Sequence, residues 1–254
     1  MEYFRFIDCL DSDFTRLREV VLIDPAASVP TCPGWSIADL THHVGEVYWH
    51  KTLAMREGAE PEPWPPAELA AQEPLALLDR GYAALRAEFA SRKPEDPAGS
   101  WYRPNQTVGF WIRRMAQETV IHRIDAELGT GQAVAPVPAD LAVNGIDELL
   151  TIFVAYGVSE WPVYFAEVLA GSPGRSYDIR TDGGAWRVRT GPALFTVEDA
   201  SDGDSADVTV SGTPPALLRW LWNREDGERG SDVVVSGTPE AVQELRRCIV
   251  TATQ

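Results

Sequence analysis

Apolar residues recur at helical spacing through the first two-thirds of the chain, in long segments separated by loops rich in proline and glycine. This pattern predicts five helices, over about residues 4–23, 36–57, 67–92, 108–128 and 138–157. Asp24-Pro25 marks the end of the first helix, and Ser36 with Asp39 resembles a capping box that opens the second. Pro74 marks a break or a restart within the third. Four or five helices of this length joined by loops are typical of a helical bundle.

The pattern changes in the last third of the chain, where short alternating runs separated by glycine and aspartate predict β-strands. Two segments resemble each other: DVTVSGTPPALLRWLW begins at Asp207, and DVVVSGTPEAVQELRR begins at Asp232. Each predicts a short strand, a turn and an amphipathic helix, with Thr213 or Thr238 as the helix N-cap. Two such units fit a small α/β domain.

Together the two patterns predict an α+β protein of two domains. The first is a helical bundle over residues 1–168, and the second is a smaller α/β domain over residues 169–254. A chain of 254 residues, of which 44% are hydrophobic, is long enough to build a core in each domain.

Composition and charge narrow the possible partners. The net charge is −16 and the pI is near 4.6, which disfavours binding to nucleic acid or to an anionic membrane face. No apolar run reaches the roughly 18 residues that a membrane span needs, and the N-terminus lacks the pattern of a signal peptide. Cys9, Cys32 and Cys248 are too widely spaced for a zinc ribbon and too few for a disulfide framework. We therefore expect a cytoplasmic protein without nucleic-acid or membrane partners.

Candidate chemistry lies in the predicted fourth helix, in the stretch QETVIHRID. Glu118, His122 and Asp125 share one helical face there, because they lie four and three residues apart. The second helix carries His43 beside an apolar stripe, so a bundle can bring its imidazole next to this face. Two histidines and one carboxylate form a ligand set of catalytic zinc sites and leave one coordination position open. Zinc is the expected ion, and nickel, cobalt or iron would also fit.

Other interpretations of the same residues stay open at this stage. A Glu-x-x-x-His pair is also typical of a surface couple or of a polar pair satisfied in the core. His42 is predicted to point away from the site, and His50 to lie at the edge of the core. Asp125 is predicted either to pair with an arginine or to support a ligand. Cys32 is predicted to be structural.

Several stretches resemble a known family. VPTCPGWSIADLTHHVGEV and FWIRRMAQETVIHRIDAELGTG are similar to the signature stretches of the mycothiol-dependent maleylpyruvate isomerases, a family of DinB-like metal-binding four-helix bundles. LLRWLWNR and DVVVSGTPEAVQEL resemble the small, sterol-carrier-like C-terminal domain of that family. The resemblance implies that His43, Glu118 and His122 are the metal ligands and that Arg224 is a catalytic arginine, although a surface arginine at a helix end fits Arg224 equally well. Many family members have histidine where this chain has Gln117, so substrate contacts are expected to differ.

The resemblance further implies a metal-dependent enzyme that uses mycothiol as cofactor or co-substrate. The expected reaction is cis–trans isomerisation or S-transfer, with a small-molecule thiol and an electrophilic substrate as partners. Two alternatives belong to other classes: a non-catalytic protein that binds metal or a small ligand, and a metal-dependent biosynthetic enzyme that needs no thiol.

Overall fold

A computed structural model of the chain describes residues 1–200, 205–225 and 232–253. The chain divides into two compact units, Met1–Ala135 and Pro136–Gln254. The first unit is helical, and the second contains a mixed five-stranded sheet with helices, so the predicted α+β class is confirmed.

The N-terminal unit is built from four long helices and one short one. Their bounds are α1 (Tyr3–Val20), α2 (Ile37–Glu57), α3 (Ala67–Ala70), α4 (Pro74–Ser91) and α5 (Val108–Gly129). The predicted third helix is two helices, because Pro74 starts α4 at its first position. The predicted capping box is present at the start of α2, where Ser36 and Asp39 satisfy each other's backbone N–H groups.

Helices α2 and α4 approach closely at two glycines. A Cβ atom added to Gly81 would lie 2.7 Å from the carbonyl oxygen of Gly45. A Cβ atom on Gly45 would in turn lie 2.8 Å from the backbone nitrogen of Leu78. Only glycine permits this separation, because a real Cβ atom does not come so near to backbone atoms. The contact therefore fixes the position of α2 against α4.

Helices α1 and α5 are joined by a buried cluster of charges. Arg123 is 0% exposed. It donates from Nε to Asp13 Oδ1 at 3.0 Å and from Nη1 to Glu127 Oε2 at 2.7 Å. Arg16 of α1 donates to the other oxygen of Glu127 at 2.9 Å. The two arginines balance the two carboxylates within the core.

The C-terminal unit begins with a long helical stretch and ends with two strand–helix units. Its helices are α6 (Ala139–Glu148), a π-helical segment (Leu149–Ala155), α7 (Tyr156–Glu160), α8 (Pro162–Leu169), α9 (Pro214–Leu221) and α10 (Pro239–Thr253). Its strands are β1 (Arg175–Thr181), β2 (Gly184–Gly191), β3 (Leu194–Asp199), β4 (Val208–Gly212) and β5 (Val233–Ser236). The strand order is β3-β2-β1-β4-β5, with only β1 and β4 parallel.

The two similar segments fold as predicted, each into a strand followed by a helix. They form β4 with α9 and β5 with α10, and the two strands pair with each other. Thr238 accepts a hydrogen bond from the backbone N–H of Ala241 at 3.4 Å. Thr213 also stands at the N-cap of its helix, as predicted, although its side chain makes no capping hydrogen bond.

The compact units divide between Ala135 and Pro136, whereas the sequence pattern placed the domain boundary after residue 168. The difference has a packing reason. Helix α6 packs on α9, and the π-helical segment packs on β3 and α10. Helical periodicity alone assigned this stretch to the bundle, because periodicity does not tell which partner covers an apolar face.

The stretch Ala139–Glu160 is long and apolar enough to cross a membrane, judged by length and composition alone. The sequence analysis identified no such run, because Asp147 and Glu148 interrupt it. In the structure 61% of its most apolar 18-residue window is buried inside the protein, as expected for a helix in the core of a folded unit.

We predict that Arg123→Ala lowers the free energy of unfolding of the N-terminal unit by about 3–5 kcal/mol, because buried Asp13 then loses its ion-pair partner and Glu127 keeps one arginine, Arg16, instead of two. Denaturant unfolding followed by circular dichroism measures this. Arg18→Ala is the matched control: Arg18 pairs with Asp79 at the surface, 2.7 Å from Nε to Oδ1, and its loss costs about 1 kcal/mol or less. Equal losses in the two variants would contradict a structural role for the buried cluster.

Candidate metal centre

Helices α2 and α5 bring the three predicted ligands together. His43, Glu118 and His122 each offer one ligand atom, and these atoms all lie within 4.8 Å of one another. Glu118 Oε1 lies 3.1 Å from His122 Nε2 and 3.6 Å from His43 Nε2. Ligand atoms of a tetrahedral zinc ion at about 2.1 Å lie about 3.4 Å apart. The geometry of the donor set therefore fits a divalent metal.

A buried hydrogen bond aligns the two helices beside the site. Tyr48 of α2 and Thr119 of α5 approach to 2.6 Å between their hydroxyl oxygens. The His43 ring packs against two other rings. Its centroid is 4.9 Å from the ring centroid of Trp35 and 5.2 Å from that of His122. The imidazole of His43 is thus held against α5 by packing on both sides.

The orientation of His122 is set by Asp125 and by the loop before α2. His122 Nδ1 lies 2.9 Å from Asp125 Oδ2, so the Nε2 atom is the one that faces Glu118. Thr31 donates to the second oxygen of Asp125 at 2.5 Å, and Cys32 Sγ lies 3.8 Å from Oδ2. This contact with His122 is the one expected of the predicted support of a ligand, while the assignment of His122 as a ligand stays a prediction. Cys32 contributes to packing the loop on α5, as predicted.

Glu118 lies between opposite charges. Arg114, one turn earlier on α5, donates to Oε2, and Oε1 faces the two imidazoles. Burial alone would raise the pKa of Glu118, but the positive charges of His122 and Arg114 hold it well below its usual range. Burial alone would lower the pKa of His122, but Glu118 and Asp125 raise it to about 9. A cation held here would replace the proton of His122 as the counter-charge of Glu118.

The other two histidines lie outside the cluster. His42 Nε2 lies 3.0 Å from the carbonyl oxygen of Leu69 in α3, within hydrogen-bonding distance. His42 therefore points away from the candidate ligands, as predicted. His50 packs edge-on against Trp64, 4.7 Å between ring centroids, and burial lowers its pKa to about 4. Gln117 is buried on a different face of α5 from Glu118.

Arg224 lies in the C-terminal unit, after α9. It is 4% exposed, and its Nη1 donates to the carbonyl oxygen of Trp222 at 2.5 Å. Its guanidinium carbon is 5.8 Å from the centroid of the Trp222 ring. The interpretation of Arg224 as a surface arginine is therefore wrong. Its catalytic role stays a prediction.

Two residues that shape the site were missed by the sequence analysis. Arg114 precedes Glu118 by four residues, a spacing that places it on the same face and was available as a signal. Thr31 is separated from Asp125 by 94 residues, and no local pattern connects them. Its contribution follows only from the way the loop folds back over α5.

Comparison with known proteins gives the family. The family model described as the mycothiol maleylpyruvate isomerase N-terminal domain matches residues 8–127, and the corresponding C-terminal domain model matches residues 140–244. The chain belongs to the mycothiol-dependent maleylpyruvate isomerase family. No curated protein matches the sequence significantly.

Two solved structures share the isomerase fold with this chain. A crystal structure of the mycothiol-dependent maleylpyruvate isomerase has 16% sequence identity and a TM-score of 0.61, with 94% of this chain and 96% of that chain covered. A histidine-to-alanine mutant of a mycothiol-dependent maleylpyruvate isomerase has 15% identity and a TM-score of 0.62, with the same coverage. At this identity the likeness establishes the fold.

We predict that His122→Ala lowers the zinc or nickel bound per chain, because it removes one of three ligands of the proposed site. Elemental analysis of the purified protein after dialysis measures the metal content. His42→Ala is the matched control, since His42 lies on the same helix as His43 and contacts Leu69 instead of the ligands. Full metal occupancy in the His122→Ala protein would rule out the ligand assignment.

Proposed function

We propose that the protein is a metal-dependent isomerase that uses mycothiol and changes the cis–trans geometry of an electrophilic small molecule. Membership of the family supports an enzyme that works with a thiol. The observation that carries the metal dependence is the convergence of His43, Glu118 and His122 within 4.8 Å. Zinc is the proposed ion, because two imidazole nitrogens and one carboxylate oxygen form its usual catalytic ligand set.

His43, Glu118 and His122 would hold a divalent metal with one coordination position left open. The metal would supply a lowered pKa for a thiol bound at that position, so that a thiolate would be present at neutral pH. A thiolate supplies reversible addition to an activated double bond, which permits rotation about the former double bond.

The side chains around the ligands prepare the site for this role. Asp125 holds Nδ1 of His122 and leaves Nε2 free as a ligand atom. Arg114 binds Oε2 of Glu118 and leaves Oε1 facing the imidazoles. Both contacts fix a ligand before a metal arrives, so little side-chain ordering is left to oppose binding.

Arg224 is the proposed catalytic arginine. The match of LLRWLWNR to the family motif supports this assignment, and so does the burial of its guanidinium against Trp222. A guanidinium fixed in this way donates several parallel N–H bonds to an oxygen anion. In the proposed reaction it would stabilise the negative charge that develops on the carbonyl oxygen of the electrophile.

We predict that zinc-loaded protein isomerises maleylpyruvate only when mycothiol is supplied, and that removal of the metal with a chelator abolishes the reaction. Product analysis by chromatography and mass spectrometry measures this. An isomer with the mass of the substrate supports isomerisation, and a product that retains the thiol indicates S-transfer. Equal turnover without any thiol would contradict the proposal, as would saturable binding of both compounds without turnover.

We predict that Arg224→Ala lowers kcat/KM in the same assay by about 100-fold, the usual effect of losing one donor to a developing oxyanion. Arg189→Ala is the matched control in the same unit, since Arg189 forms an exposed pair with Glu198, 3.0 Å from Nε to Oε1. Circular dichroism checks that both variants are folded. An unchanged kcat/KM in the folded Arg224→Ala protein would remove Arg224 from the mechanism.

A further inference from the structure

Lys51 is an unusual residue in this chain. The sequence contains two lysines, Lys51 and Lys93, against twenty arginines. Lys93 is exposed, whereas the side chain of Lys51 is only 17% exposed. Burial of an ammonium group is costly unless an opposite charge or a polar group compensates it. A largely buried lysine therefore needs an explanation from its surroundings.

The contacts of Lys51 compensate its charge incompletely. Among the described residues its one ion pair is with Glu60, at 3.4 Å from Nζ to Oε1, which is long for a charge-assisted hydrogen bond. Nζ also lies 4.9 Å from the centroid of the Trp111 ring, a cation–π contact. An ammonium has three N–H donors, so Lys51 retains donor capacity for a further acceptor.

Trp111 is held in a fixed position beside this ammonium. Its side chain is fully buried, and its Nε1 donates to the carbonyl oxygen of Gly99 at 2.7 Å. Gly99 in turn packs against the end of α2, because a Cβ atom on it would lie 2.4 Å from the backbone nitrogen of Ala59. The loop that joins α4 to α5 is thereby fixed next to Lys51.

Lys51 and the candidate ligands lie along the same contact between α2 and α5. The two helices run antiparallel: His43 meets Glu118, and Lys51, two turns later on α2, meets Trp111, two turns earlier on α5. Seven or eight residues correspond to about 10–12 Å along a helix. The ammonium of Lys51 contacts Trp111 and Glu60 there, about two helical turns from the candidate ligands.

The electrostatics agree with this placement. Burial lowers the pKa of Lys51, while the negative charges of Glu60 and Glu118 raise it and the positive charge of Arg114 lowers it. Glu118 and Arg114 are thus close enough to act on the ammonium. With a dication among the ligands, the electrostatic potential around Lys51 would be positive, although the whole chain carries a net charge of −16.

We propose that Lys51 is a substrate-binding residue that selects an anionic electrophile by donating to its carboxylate. This inference rests on the proposed function, since it places the carboxylate at Lys51 while the reacting carbon lies toward the metal ligands. The cation–π contact with buried Trp111 holds the ammonium in place for this contact. A negatively charged group on the thiol would be recognised by the same chemistry, so the experiment distinguishes the two sources.

The first test is a binding measurement that needs no turnover. Protein labelled with [ε-¹³C]lysine gives two lysine signals, and Lys51→Met assigns them. Titration of the zinc-loaded protein with fumarate is expected to shift the Lys51 signal saturably and leave the Lys93 signal unchanged. Fumaramide, the neutral analogue of the same shape, is expected to shift neither. A Lys51 signal that responds to neither compound, or equally to both, overturns the proposal.

The second test separates the electrophile from the thiol. Lys51→Met is expected to raise KM for maleylpyruvate by about 10- to 100-fold, the effect of losing one hydrogen bond to a charged group. Lys51→Arg is expected to restore most of this loss, and Lys93→Met is the matched control with no effect. A rise in the KM for mycothiol instead would assign the recognised anion to the thiol. Unchanged values for both overturn the proposal.

The two tests keep the failure of this inference distinct from failure of the proposed function. If mycothiol-dependent turnover is absent, the lysine signals still decide whether Lys51 binds a carboxylate. If turnover is present and Lys51→Met leaves both KM values unchanged, the isomerase assignment stands and the role of Lys51 is rejected.

Discussion

The partial burial of the Glu118 carboxylate between α2 and α5 is the constraint on which the site depends. A carboxylate at this depth is stable only with positive charge around it, and the chain provides that charge from Arg114 on one oxygen and from two imidazoles on the other. The same arrangement that compensates the carboxylate also positions three ligand atoms for a dication. Compensation of the Glu118 carboxylate and preparation of the candidate metal site therefore depend on the same side chains.

Helix α5 carries two charge clusters with the same residue spacing, and the one around Glu118 is the cluster that is suited to chemistry. Arg123 and Glu127 lie four residues apart, as Glu118 and His122 do. In the first pair a permanently charged guanidinium, with Arg16 and Asp13, completes the balance inside the protein. In the second pair the counter-charge is a proton on an imidazole, which a metal ion can replace. Spacing marks both pairs as partners, and the type of cation decides which one is structural.

The sequence predicted what local patterns control and missed what tertiary packing decides. The helices, the two strand–helix units and the convergence of His43 on the Glu118 face all follow from periodicity, capping and proline positions. The division of the chain after Ala135 does not follow from these patterns, because the sequence of an apolar helix does not show which element packs against it. The support of Asp125 by Thr31 depends on the path of a loop, and a loop path is not encoded in a repeating pattern.

The glycine contact between α2 and α4 lies behind the ligand helix, since Gly45 is on the opposite side of α2 from His43. Bond lengths to a metal tolerate deviations of only about 0.2 Å, whereas a single methyl group between these backbones would displace α2 by more than that. The spacing of the three candidate ligand atoms on one side of α2 thus depends on missing side-chain volume on the other. A substitution in α4, which supplies no candidate ligand, is therefore able to alter that spacing.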